Sequence, residues 1–293
     1  MNLKIIILYT IISFCWGITW LFLKINVTHM PILWGLSFRF IIAGTIFWLI
    51  YFLQKNRVKL TSQTRSIYIV YTLFNYTLCY YLTYWGAQYI YSNLGSILYS
   101  LSPITIAIMA HLFIPDDKLN RKKILSMLIG FIGTILLLYN GNSFGGEKAF
   151  IGISAILLAI IIGCWPTIYI KKQGIKVDSI HLNAVGLSIS GLIILIMAIL
   201  FENGSILEIN PTNLFSLLFL AIPGTVVTWG IYIWLLNHLP ASQLSYVAFF
   251  PPIIAIISGW IFLNEALSLI SLLGASLIIF GGFLINYDLK KIN

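Results

Sequence analysis

Apolar runs of about twenty residues, separated by short polar clusters, follow one another along the whole chain. A transmembrane helix needs about 20 consecutive, mostly apolar residues. The runs place spans at 5–23, 32–53, 67–89, 92–114, 121–140, 149–170, 180–201, 214–236, 243–263 and 268–287. The stretch from Ile67 to Ile114 is too long for one span, and the polar pair Ser92–Asn93 divides it. The pattern predicts an all-α, polytopic membrane protein of ten transmembrane helices. No stretch is long and polar enough for a separate soluble domain or flexible linker. Lys4 and the apolar run after it resemble a signal peptide, but no small-residue cleavage site follows, so the run reads as a retained first helix.

Composition agrees with this reading. Of 293 residues, 60% are hydrophobic and 9% charged, against roughly 25% charged in soluble domains. The net charge of +9 would suggest nucleic acid in a soluble protein, but the basic residues stand in clusters between spans. They read as topology signals and contacts with anionic lipid, so the lipid bilayer is the expected partner and nucleic acid is not. With the N-terminus inside, the inner segments hold Lys4; Lys55, Arg57, Lys59 and Arg65; Lys118, Arg121, Lys122 and Lys123; Lys171, Lys172 and Lys176; Lys290 and Lys291. The outer segments hold Lys24 and Lys148, and Arg39 lies within a span. Cytoplasmic lysine and arginine excess orients membrane proteins, so both termini are expected in the cytoplasm. The three cysteines, Cys15, Cys79 and Cys164, fall inside spans and have neither disulfide-framework nor metal-ligand spacing. Richness in Ile, Asn, Lys and Tyr fits an AT-rich bacterial genome, which makes the plasma (inner) membrane the expected location.

The halves resemble each other. A shift of 148 residues brings Tyr84 onto Tyr232, Pro103 onto Pro251, Asp117 onto Glu265, Leu119 onto Leu267 and Gly133 onto Gly281. At a shift of 149, Cys15-Trp16-Gly17 meets Cys164-Trp165-Pro166. A five-helix repeat has an odd number of crossings, so its second copy enters the membrane upside down. Residues 1–140 and 149–293 are therefore expected to be two inverted five-helix repeats. Inverted repeats place a substrate site near the midplane, at the repeat interface, and permit alternating access by rocking.

Trp16-Gly-Ile-Thr-Trp20 with Lys24, Arg39-Phe40, and Tyr99-Ser-Leu-Ser-Pro103 through Asp117-Lys-Leu119 stand in a characteristic order, with Phe249-Phe-Pro-Pro252 through Asn264-Glu-Ala-Leu267 as a second-half counterpart. In these residues the chain resembles the drug/metabolite transporter superfamily, specifically its EamA-type branch, over nearly its whole length. It departs at Pro115-Asp116-Asp117, where the family usually has a Gly-Glu pair, and Asn264 precedes Glu265. The resemblance implies a ten-helix bundle with a central cavity lined mainly by helices one, three, four, six, eight and nine. It also implies a cargo among amino acids, their derivatives, other small metabolites or drugs.

Several residues are candidates for that cavity. Trp16 and Trp20 share a face of span one with Ser13, and Trp165 is the span-six counterpart, near Tyr169. Membrane-interface anchoring is the alternative for Trp20 and Tyr169, and helix packing for Trp16 and Trp165. In span three, Tyr76, Tyr80 and Tyr84 recur every four residues. Buried tyrosine hydroxyls need partners, so this stripe predicts a wet face, with Tyr80 or Tyr84 reaching the cavity and core packing as the alternative. Ser100 and Pro103 of span four, and Phe250 and Pro251 of span nine, mark proline positions that free a backbone carbonyl. Span eight presents Thr225, Thr228, Trp229 and Tyr232 on one side. Small residues at Ser126, Gly130 and Thr134, and at Gly274, Gly281 and Gly282, predict close helix packing. Arg39 is assigned a structural or gating role ahead of substrate contact.

All eight carboxylates fall in loops or at span ends, so the sequence offers no deep proton relay, and it has no phosphate-binding loop, cofactor motif or metal-ligand set. The leading reading is a secondary, non-ATP carrier of small metabolites working by alternating access, with export of amino acids or related compounds as the expected activity. A lipid or lipid-linked sugar flippase is the runner-up. A membrane-embedded enzyme is disfavoured because no His, Asp or Cys cluster shares one depth. A homodimer stays open.

Overall fold

A computed structural model describes residues 3–54, 58, 60–90, 92–138, 148–203, 210–254 and 269–286, and its described residues are helical and strand-free. The elements are α1 (Leu3–His29), α2 (Ile32–Leu53), α3 (Ser62–Val70), α4 (Tyr80–Ala87), α5 (Ser92–Tyr99), α6 (Ser102–Phe113), α7 (Arg121–Leu138), α8 (Ala149–Gln173), α9 (Ser179–Phe201), α10 (Pro211–Ala221), α11 (Thr228–Leu236), α12 (Ala241–Ser245) and α13 (Leu269–Asn286). A π-helical stretch, Tyr71–Cys79, joins α3 to α4, and another, Ile222–Val227, joins α10 to α11. A 3₁₀ turn, Tyr246–Phe249, follows α12. Among the described residues five helical segments are long and apolar enough to cross a membrane: α1, α2, α8, α9 and the continuous rod Pro211–Leu236.

Helix ends follow local chemistry. Thr61, Asp178 and Asn210 cap α3, α9 and α10 by accepting from backbone N–H groups at Thr64, His181 and Asn213, donors that the helix itself leaves unpaired. Gly174, at φ 66°, ends α8 in the left-handed conformation that favours glycine. The predicted fourth span is two helices, because the chain turns at Ser100–Leu101. Pro103 therefore sits in the first turn of α6, where its missing N–H costs nothing, and does not kink a continuous helix.

Large apolar side chains such as Leu49, Phe150, Phe201 and Phe215 point outward, as a bilayer allows. Inside, helices meet through small residues. A Cβ on Gly44 would sit 2.5 Å from Ser188 Oγ, and one on Gly191 would sit 3.0 Å from Ile41. A shift of 147 residues carries Gly44 onto Gly191 and Ile41 onto Ser188. Likewise a Cβ on Gly133 would lie 2.7 Å from the Gly274 carbonyl oxygen, and one on Gly281 would lie 2.8 Å from that of Ser126. Here a shift of 148 exchanges the two contacts. The α2–α9 and α7–α13 packings are thus reciprocal, and the small-residue stripes predicted on the fifth and tenth spans do pack against each other.

Opposite poles of the bundle are tied differently. At one, Lys4 lies 4.4 Å from the Trp234 ring centroid, Tyr9 donates to the Gln243 and Leu244 carbonyls, and Asn237 exchanges two bonds with the Val177 backbone. At the other, Lys24 donates to the carbonyls of Ala87, Gln88 and Ile90, and Glu202 accepts from Leu33 N and Trp34 N. Asn264–Leu267 with Glu265, residues 255–263 of the predicted ninth span, and Lys55, Arg57, Lys59, Lys290 and Lys291 lie outside the described residues, as do the side chains of Asn93 and Gly282.

Candidate central cavity

The middle of the bundle encloses a cavity of about 160 Å³. Its wall draws on α1, the α3–α4 rod, α5–α6, α8, α11 and the α12 segment, with Arg39 from α2. These are the first, third, fourth, sixth, eighth and ninth predicted spans plus one side chain of the second. Each π-helical stretch ends beside the wall, delivering Tyr80 and, two residues into α11, Trp229. Thr77 donates to the Thr72 carbonyl and Thr225 to the Leu220 carbonyl, five residues back in each case. Thr77 and Thr225 are 148 residues apart, so both halves stabilise the wider turn by the same side-chain bond. Wide turns of this kind recur at functional sites.

An aromatic cluster forms one side. Trp16 lies edge-on to Trp229 at 6.0 Å and tilted against Tyr232 at 5.7 Å, and Trp229 and Tyr232 are 5.2 Å apart. Trp229 Nε1 donates to the Tyr80 hydroxyl. Trp20 packs edge-on against Tyr99 at 5.4 Å, and its ring fits only because Gly95 has no Cβ, which would lie 2.2 Å away. The Tyr99 hydroxyl in turn bonds Thr83 Oγ1 at 2.5 Å, and Thr167 bonds the Tyr232 hydroxyl at 3.3 Å. Edge-to-face rings at these separations are stable arrangements.

Arg39 is 2% exposed. Its Nε donates to Thr225 Oγ1 at 2.8 Å, Nη1 to the Tyr84 hydroxyl at 3.2 Å and Nη2 to the Gly224 carbonyl at 3.1 Å. The guanidinium carbon lies 5.0 Å from the Tyr80 ring centroid. All these partners are neutral. Of the predicted site residues, Trp16, Trp20, Tyr80, Tyr84, Trp229, Tyr232 and Pro251 line the cavity, as does Arg39. Ser100, Pro103, Trp165 and Phe250 stand outside the wall. Ser100 is buried at the break between α5 and α6, and Pro103 is buried in the next turn. Trp165 packs on Phe113 and Tyr169 instead, and Phe250 on Tyr246. Tyr76, predicted on the same stripe as Tyr80, donates to Asn183 Oδ1 at 2.6 Å in the helix packing. Sequence reasoning did not single out Asn75, Cys79, Thr83 and Thr167 as wall residues. Among the described residues no three of His, Cys, Asp and Glu converge as metal ligands.

A second, polar cavity of about 380 Å³ lies at the pole of Lys4, between the α6–α7 loop and the ends of α8 and α11. Beside it, Asp117 accepts from Ser242 N at 3.1 Å, Ser242 Oγ at 2.5 Å and Lys123 Nζ at 2.6 Å. Burial pushes this carboxyl's pKa up, but the bonds from Lys123 and Ser242 outweigh burial and hold it below the usual carboxylate value. The carboxylate thereby pins the α6–α7 loop to the start of α12.

The EamA-like transporter family matches the chain twice, over residues 3–139 and 150–287. The uncharacterized transporter YoaV of Bacillus subtilis is 26% identical over 280 residues, 96% of each chain. The uncharacterized transporter YvbV of the same organism is 28% identical over 275 residues, 94% of this chain and 89% of its own. A Salmonella typhimurium protein named "Probable amino-acid metabolite efflux pump" is 26% identical over 278 residues, covering 91% of this chain and 89% of its own. A solved crystal structure superposes over the full length of both chains with a TM-score of 0.81 at 14% identity, a likeness of fold.

Proposed function

The chain belongs to the EamA-like transporter family, and from that premise we propose that it is a secondary carrier that moves a small metabolite across a bacterial plasma membrane by alternating access. It is a multi-pass membrane protein, and the proposal counts ten crossings arranged as two inverted five-helix repeats, residues 1–140 and 149–293, with both termini in the cytoplasm. The observation that carries the reading is the central cavity, walled by both halves of the chain and held between two rods with matching π-helical stretches. The reciprocal α2–α9 and α7–α13 contacts support the repeat. Inverted repeats pivot about such a midplane site, exposing it to one side and then the other.

In this proposal Trp16, Trp20, Tyr80, Tyr84, Trp229, Tyr232 and Pro251 contact the cargo. Ser100, Pro103, Trp165 and Phe250 act one layer out, where they pack or end the helices that bear the wall. The named activity of the Salmonella relative supports a cargo among amino-acid metabolites, exported from the cell. The test is counterflow in proteoliposomes across a metabolite panel. Flux that requires the protein, and that falls at least tenfold in Trp16→Ala and Trp229→Ala while both variants stay folded, is the expected result. Absence of protein-dependent flux for every compound would sink the carrier reading.

A further inference from the structure

Resting on the carrier reading above, we propose that the cargo is a singly charged organic anion, a monocarboxylate with one ring or a branched aliphatic body, whose carboxylate is received by Arg39. Among the described residues, Arg39 is the one charged side chain in the cavity wall. A guanidinium keeps its proton in proteins and presents five N–H donors. Bonds to Thr225, Tyr84 and Gly224 use three of them, all with neutral acceptors. No carboxylate pairs with it among the described residues. A buried charge without a counter-charge is costly in an apolar interior. An entering carboxylate supplies the missing charge and takes the remaining donors, in the planar geometry that suits guanidinium.

A second observation points the same way. Asn75 Nδ2, in the same wall, is buried and has no hydrogen-bond partner among the described residues. Arg39 and Asn75 therefore both offer donors that an acceptor on the cargo would satisfy. An ammonium group would meet no carboxylate there among the described wall residues. One guanidinium balances one negative charge, so a dianionic phosphate is a poorer match than a carboxylate. Size sets the body. An apolar cavity of about 150 Å³ holds benzene, and this one, at about 160 Å³, is walled by Trp16, Trp229 and Tyr232.

The experiment varies charge on a constant body. Phenylpropanoate, phenylalanine and phenylethylamine form one series, and isocaproate, leucine and isoamylamine a second. Full-length protein is tested for thermal stabilisation and for counterflow in proteoliposomes. The expected result is that the anion of at least one series binds about ten- to a hundredfold more tightly than its amine, which lacks the charge-assisted bond, and more tightly than its zwitterion, whose ammonium group is desolvated with no carboxylate beside it among the described wall residues. Arg39→Lys should retain that order with weaker binding, and Arg39→Gln should abolish it. Should Arg39→Gln fail to fold, the charge series on the unaltered protein still decides. Equal binding across a series, or preference for the zwitterion or amine, overturns the anion assignment and leaves the carrier reading standing. Failure of both series and of a wide metabolite panel to bind or exchange overturns both together.

Discussion

Asp117 shows how one residue in a loop can govern contact between helices. Its carboxylate is 5% exposed and holds the α12 N-terminus through Ser242 and the α7 N-terminus through Lys123. Replacement by Asn keeps the shape but loses the charge, and with it the ion pair and the stronger acceptor. Charge-assisted bonds are worth about 1.5–3 kcal/mol, so Asp117→Asn should destabilise the protein by about that amount, read by denaturant unfolding in detergent. The pH dependence has a definite sign. A carboxyl held below its usual value lends stability that is complete above its unfolded-chain pKa, near 4, and lost as pH falls through the lower folded value. The unaltered protein should therefore lose stability below about pH 4 more steeply than Asp117→Asn. Equal slopes would remove Asp117 from the account.

At the level of elements, the two π-helical stretches make a paired comparison. Thr77 and Thr225 make the same backbone bond, but Thr77 also meets Ser190 Oγ at 2.8 Å, while Thr225 accepts from Arg39. Replacing Thr77 by Val removes a neutral interhelical bond, worth about 0.6 kcal/mol in membrane proteins. Replacing Thr225 by Val strands a guanidinium donor, at a cost of about 1–3 kcal/mol. Thr225→Val should thus be the more destabilising, although the positions correspond; the reverse order in unfolding measurements would argue that Arg39 finds another acceptor. The glycines at the α7–α13 contact provide a matched pair. Gly133→Ala and Gly281→Ala each drive a methyl against a backbone carbonyl, and overpacking of this kind costs about 1–3 kcal/mol. Gly133→Ala should show that loss by the same measurement and Gly281→Ala a larger one, because its methyl also meets the Tyr246 hydroxyl, which is held on the Ile278 carbonyl.

These elements also explain what could be read in advance. Helix-length apolar runs announce membrane-crossing helices because the bilayer demands them, and small-residue stripes announce close packing. Tyr80 and Tyr84 share a face because both lie in α4, where residues four apart stack. Tyr76 leaves that face because it lies in the π-helical stretch, whose wider turn changes the angular step. No hydropathy pattern distinguishes such a turn from an ordinary one. Asn75 and Cys79 went unnoticed for the same reason, since both lie in that stretch and their facing depends on its shifted register. Trp165 shows the limit of repeat logic: it aligns with Trp16, yet Trp16 faces Trp229 and Trp165 faces Phe113.

For the molecule as a whole, orientation is the property most open to a decisive test. Contacts at one pole gather the starts of α1, α3, α9 and α12 with the ends of α8 and α11. Lys118 and the Arg121-Lys122-Lys123 cluster belong to that pole through Asp117. Lys24 and Lys148 belong to the other, where Gly86 and Gly152 bring α4 against the start of α8. Charge asymmetry between the poles is what the membrane reads: basic loops are retained on the cytoplasmic side, and anionic lipid there attracts them by about 1 kcal/mol per residue. The basic pole should therefore face the cytoplasm. Lys118 and Lys148 are both exposed; Cys79 and Cys164 are buried and Cys15 is half-buried, so with Cys15 replaced by Ser a cysteine at either lysine can be labelled against a quiet background. An impermeant maleimide should label Lys148→Cys in intact bacterial cells, and Lys118→Cys only after permeabilisation. The opposite pattern would invert the orientation and place the Asp117 contact outside the cell. Labelling of both in intact cells would place the two loops on one face and break the alternation on which two inverted five-helix repeats depend.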